Sequence, residues 1–91
     1  MKDKPAPADD STAQFNARFG ARVKRLREAH VPYLSQEAAA HRAGVAVSTW
    51  SRVERGLQSV HPQRLPGIAR SLGVGIANLF EEGDEDERRD S

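Results

Sequence analysis

Residues 41–56 read HRAGVAVSTWSRVERG, and eight of these, 48–55, hold three hydroxyls, an indole, two guanidiniums and one carboxylate. Wound as a helix at about 100° per residue, Ala46, Trp50, Val53 and Leu57 fall within about 60° of one another and form an apolar stripe. Ser48, Ser51, Arg52 and Arg55 cluster on the opposite side, with Val47 at the boundary. That outward face carries short hydroxyls and two arginines and no acid, a set suited to hydrogen-bonding base edges and phosphates. The indole of Trp50 belongs to the inner face and reads as core rather than as a base-stacking ring. Glu54 falls beside the buried stripe. A carboxylate buried there without a partner costs several kcal/mol, so a cation is required. Arg27, on the flank of an upstream apolar helix face, is the candidate.

Other chemistries find little support. There is no cysteine, which removes disulfides and thiolate metal ligation. His30, His41 and His61 are too far apart along the chain for one helix or turn to gather them on a metal. The hydroxyls at 48, 49 and 51 have no histidine and acid in a catalytic arrangement, and no glycine-rich phosphate loop occurs, so neither an enzyme nor a cofactor is expected. No apolar run approaches the ~18 residues of a membrane span. The N-terminal lysines are not followed by the apolar stretch of a secretory signal, which makes a cytoplasmic, nucleoid-associated location the expectation.

The formal net charge of +1 conceals a segregation. Residues 15–80 carry ten Lys and Arg against three acids (Glu28, Glu37, Glu54), a net +7, whereas residues 81–91 are net −5 and residues 1–14 net −1. A basic middle with an acidic tail is an asymmetry associated with nucleic-acid binding.

The elements that must position these groups can be read from caps and periodicity. Residues 1–10 and 81–91 are polar and aperiodic and read as a disordered arm and an acidic disordered tail, leaving one small folded domain over 11–80. Ser11 with Gln14 forms a capping box, and Phe15, Phe19, Val23 and Leu26 then mark one face of a first helix, which should stop near His30 because Pro32 follows. Ser35 caps a second helix with Glu37 in its first turn, and Gly44 ends it. A third runs from Val47 to Arg55 and stops at Gly56. A fourth covers 62–72, although Pro66 requires either a start near Leu65 or a separate turn at 62–65. A short fifth spans residues 75 or 76 to 80. No alternation suggests a sheet. Two helices joined by a tight glycine turn, the second with a basic polar face, describe a helix-turn-helix in an all-α domain.

The run LSQEAAAHRAGVAVSTWSRVERG, with FGARVKRLRE upstream and LPGIARSLGVGIANLF downstream, resembles the phage-repressor-like Cro/C1-type (XRE) helix-turn-helix family over residues 19–80. The resemblance implies a compact five-helix domain that binds double-stranded operator DNA as a homodimer. It assigns base reading to Val47, Ser48, Ser51 and Arg52. Backbone contacts fall to Gln36, Arg55, Gln58 and Ser59, with Gln36 also bracing helix 3. Arg27 and Glu54 match the family's pair tying helix 1 to helix 3. This chain departs from the pattern in three places. The segment between Arg27 and Gln36 is about two residues longer than usual and includes Val31 and Pro32. Ala39 stands where leucine is usual and Trp50 where isoleucine is usual, a compensating swap of volume. Ala46 is a poor N-cap, so the start of helix 3 is expected to fray until DNA binds.

The expected function is that of a DNA-binding transcriptional regulator, a repressor or autoregulator. The alternative is a protein-interaction module, such as an antitoxin or adaptor, with the acidic tail as the segment that meets a protein partner. The apolar residues available for a dimer contact are Val74, Ile76, Leu79 and Phe80, with closure of the monomer core the competing role for Leu79 and Phe80.

Overall fold

The computed structural model describes residues 10–80. The arm and tail expected at 1–10 and 81–91 lie outside the described residues except for Asp10, which already belongs to the first helix. Four α-helices follow in order: α1 (Asp10–Glu28), α2 (Gln36–Ala43), α3 (Val47–Glu54) and α4 (Leu65–Leu72). Two 3-10 segments complete them, Pro62–Arg64 before α4 and Ile76–Phe80 after it. No strand occurs among the described residues.

The five-helix expectation is therefore corrected to four. The fifth segment is only five residues long, and Asn78 N–H bonds back to the Gly75 carbonyl at 3.0 Å, an i→i+3 link. So short a piece gains the tighter 3-10 geometry without the length that an α-helix needs to be stable. Pro66 acts as the sequence required: it sits in the first turn of α4, and residues 62–64 form their own turn. Ser11 is not an N-cap, because α1 has already begun at Asp10.

The turn between α2 and α3 is built locally. Ser35 accepts a hydrogen bond from Ala38 N–H at 3.0 Å and caps α2. Gly44 takes φ 77°, a left-handed conformation that lets its own N–H reach the carbonyls of Ala40 and His41 and swing the chain into α3. Ala46 provides no side-chain cap, and the first turn of α3 closes through Trp50 N–H to the Ala46 carbonyl at 3.0 Å.

One core joins the elements: Phe19 and Val23 of α1, Leu34 of the segment before α2, Ala39 and Ala40 of α2, Trp50 and Val53 of α3, Ile68, Ala69 and Leu72 of α4, and Leu79. Ala39, 0% exposed, and Trp50, 2% exposed, share that cluster. Two members of the anticipated stripe on helix 3 do not join it: Ala46 is exposed and Leu57 is 63% exposed. Both lie beyond the ends of α3, where a 100° step no longer describes the chain. The helices also approach closely where side chains allow. A Cβ on Gly20 of α1 would stand 2.2 Å from the Val53 carbonyl oxygen, so only glycine lets α3 lie this near. Polar ties reinforce the packing: Ser71 Oγ donates to the Ala39 carbonyl at 2.7 Å, and Arg42 Nη1 to that of Ser71 at 3.1 Å.

Candidate nucleic-acid interface

Helix α3 has two faces with separate work. Its inner face presents Trp50, Val53 and Glu54, all buried. Its outer face presents Val47, Ser48, Arg52 and Arg55 to solvent, with Ser51 half-buried between them. The rotation of the helix decides what the molecule offers to a partner, and Glu54 fixes that rotation.

Four donors converge on the Glu54 carboxylate. Arg27 of α1 approaches it in a fork, Nε to Oε2 at 2.5 Å and Nη2 to Oε1 at 3.0 Å. Gln36 at the start of α2 gives Nε2 to Oε1 at 2.8 Å. Trp50 gives its indole N–H to Oε2 at 2.6 Å. Burial by itself would raise the Glu54 carboxyl, but the bonds from Arg27, Gln36 and Trp50 outweigh it and hold the group below the usual carboxylate range. The bond to Glu54, opposed by burial, likewise holds the Arg27 guanidinium more firmly protonated than usual. Both Nη1 hydrogens of Arg27 go to the segment that follows α1: Nη1 donates to the Tyr33 hydroxyl at 3.2 Å and to the Leu34 carbonyl at 3.1 Å. Residues 33 and 34 thus help to hold the guanidinium against Glu54.

Around the outer face of α3 stand the other residues assigned to DNA from the sequence. Gln36 is half-buried at the start of α2, with its amide already committed to Glu54. Gln58 and Ser59 lie in the turn after α3. Gln58 Oε1 accepts the Nε–H of Arg52 at 2.9 Å, and Ser59 Oγ meets Asn16 of α1, accepting from Nδ2 at 3.0 Å. Arg55 Nε folds back to the Ser51 carbonyl at 3.4 Å. Thr49, Ser59, His61 and Arg64 line a cleft of about 370 Å³. Between residues 38 and 80 the sole acid is Glu54, and it is sealed inside, so α3 and the turn after it expose no negative side chain.

Two contributors escaped the sequence reading. Arg22 is 6% exposed and donates Nε–H to the Asn78 carbonyl at 2.9 Å, tying α1 to the last segment. Its place one turn after Phe19 and next to Val23 was a usable sign of an inward position. Asn16 had no such sign, since its bond to Ser59 spans 43 residues.

Three comparisons bear on this arrangement. The sequence model of a helix-turn-helix domain matches residues 18–81. No curated protein matches the chain. Among solved structures, the restriction-modification controller protein C.AhdI from Aeromonas hydrophila is similar over 74% of this chain and 98% of its own, with 31% identity and a TM-score of 0.68. A hypothetical transcription factor, NHTF, from Neisseria shares the fold at 24% identity and a TM-score of 0.72, over 93% of this chain and 94% of its own.

Proposed function

The chain belongs to the helix-turn-helix domain family, and from that membership we propose that it is a sequence-specific DNA-binding transcriptional regulator, a repressor or autoregulator acting as a homodimer. Helix α3 enters the major groove. The observation that carries this reading is the acid-free outer face of α3, with Ser48, Arg52 and Arg55 exposed while the same helix buries its one carboxylate. Arg52 contacts guanine, Val47 a thymine methyl, and Ser48 and Ser51 neighbouring base edges. Gln36, Arg55, Gln58 and Ser59 engage phosphates. The likeness to a restriction-modification controller supports a regulatory role of this kind.

A single eight-residue recognition helix reads few base pairs, so a two-fold dimer on a symmetric site is part of the proposal. Ile76 and Phe80, 45% and 43% exposed, are the apolar residues available for it, next to Phe15 at 47%. Leu79, 1% exposed, closes the monomer core, and Val74 packs against that core.

Selection of binding sites from random duplex is the test. It should return a two-fold symmetric consensus, and binding to random duplex should weaken steeply with salt. Failure to enrich any sequence, with little salt-dependent binding, would favour an adaptor or antitoxin role instead.

A further inference from the structure

Resting on the reading of Arg52 as the guanine contact, we propose that Gln58 is its positioning residue and thereby determines specificity without having to touch a base. An exposed arginine side chain samples many rotamers, and holding it in one is an entropic cost charged against binding. Here one hydrogen of the guanidinium is already engaged: Nε–H donates to Gln58 Oε1 at 2.9 Å. A guanidinium held at Nε keeps its terminal Nη edge, which is the edge that makes an end-on bidentate contact with guanine O6 and N7. The acceptor amide retains its own NH2 group, a donor for a phosphate oxygen.

The turn that carries Gln58 is itself held. Leu57 N–H donates to the Arg52 carbonyl at 2.9 Å, so the backbone of the turn is anchored to the very residue whose side chain Gln58 holds. Ser59, the next residue, is tied to Asn16 of α1 by the 3.0 Å bond from Asn16 Nδ2. Gln58 is half-buried between these two anchors. An acceptor on a fixed turn orients a flexible cation in a way that a mobile one would not.

The test compares wild type, Gln58→Leu, Arg52→Ala and the double variant on the selected operator. A second operator has A·T in place of the G·C pair at which Arg52→Ala relaxes preference. The ratio of the two affinities is the readout. Gln58→Leu should lower that ratio roughly three- to tenfold, the scale of one solvent-exposed hydrogen bond, and should change it no further once Arg52 is alanine. A purely structural or phosphate-binding Gln58 would weaken both operators alike and leave the ratio unchanged, which would overturn the proposal. The order parameter of the Arg52 Nε–H in the DNA-free protein supplies a separate reading. It should fall in Gln58→Leu, and an unchanged value would reject the positioning role whatever Arg52 contacts. If Arg52→Ala leaves base preference intact, the guanine assignment itself fails and the inference fails with it. The NMR result would still report whether Gln58 holds the side chain. Gln58→Ala serves as the second variant should the leucine impair folding, which a melting curve checks.

Discussion

Trp50 donates its indole N–H to the carboxylate of Glu54, one turn further along the same helix, at 2.6 Å. The ring that fills the core and the acid that locks α3 to α1 are thus one unit, and a change in either disturbs the other.

Replacing Trp50 by isoleucine should therefore do more than open a cavity. The cavity alone costs about 1–3 kcal/mol, and the lost donor to a buried carboxylate adds about 1 kcal/mol or more. Ala39→Leu combined with Trp50→Ile restores volume but not the hydrogen bond, so the double variant should recover only part of the loss. Thermal or urea melts of the two single variants and the double variant check this. Simply additive losses would show that residues 39 and 50 do not exchange volume.

Arg27→Met leaves the Glu54 carboxylate buried with two neutral donors and no counter-ion. Breaking a buried pair from one side costs about 3–5 kcal/mol. Arg27→Met with Glu54→Gln should be less damaging than the sum of its parts, a coupling that a double-mutant cycle in urea measures directly.

The same carboxylate sets an acid limit. Its folded-state value lies below that of the unfolded chain, so its contribution to stability is complete above the unfolded value of about 4.3 and is lost as pH falls through the folded value. Wild-type stability should owe no slope to Glu54 between about pH 6 and 8 and should decline below about pH 4. Subtracting the pH profile of Glu54→Gln isolates this effect from the other acids. Identical acid limbs in the two proteins would contradict it.

Gly20→Ala should destabilise despite alanine being the better helix former. The helical gain is about 1 kcal/mol, whereas a methyl group driven against the Val53 and Glu54 carbonyls forces α1 and α3 apart at a cost of about 1–3 kcal/mol. Denaturation measures the net loss. Because α3 must shift, operator affinity should fall with it.

On DNA, Arg52→Ala and Arg55→Ala should differ in kind. The first should cost about 1–3 kcal/mol and relax preference at one base pair. The second should weaken all sequences alike and flatten the dependence of binding on salt. Parallel site selections and salt titrations of the two variants separate these outcomes.

Much of the architecture was legible because it is written locally. Ser35 and Gly44 announce the limits of α2, Pro66 the start of α4, and the spacing of Trp50, Val53 and Glu54 the inner face of α3. Periodicity failed at Ala46 and Leu57, just past the helix ends, where caps and turns set the direction of a side chain. The 3-10 form of residues 76–80 depends on tertiary docking that no short window encodes. Arg22 was overlooked because charge suggested solvent where position indicated core. The bonds Asn16–Ser59 and Arg52–Gln58 shape the candidate site yet leave no trace in composition or period: the first forms only once α1 and the turn after α3 are brought together, and the second depends on how that turn bends back over α3.

Because the residues that anchor α3 and those it shows to solvent do not overlap, its address and its foundation can be edited independently. On the proposed DNA-reading role, residues 47, 48, 51 and 52 could be exchanged for another operator's set, with position 58 changed in concert with 52, and the clamp on Glu54 would hold the new helix at the same angle. Divergence of target sequence in a lineage built on this scaffold need not pass through unstable intermediates.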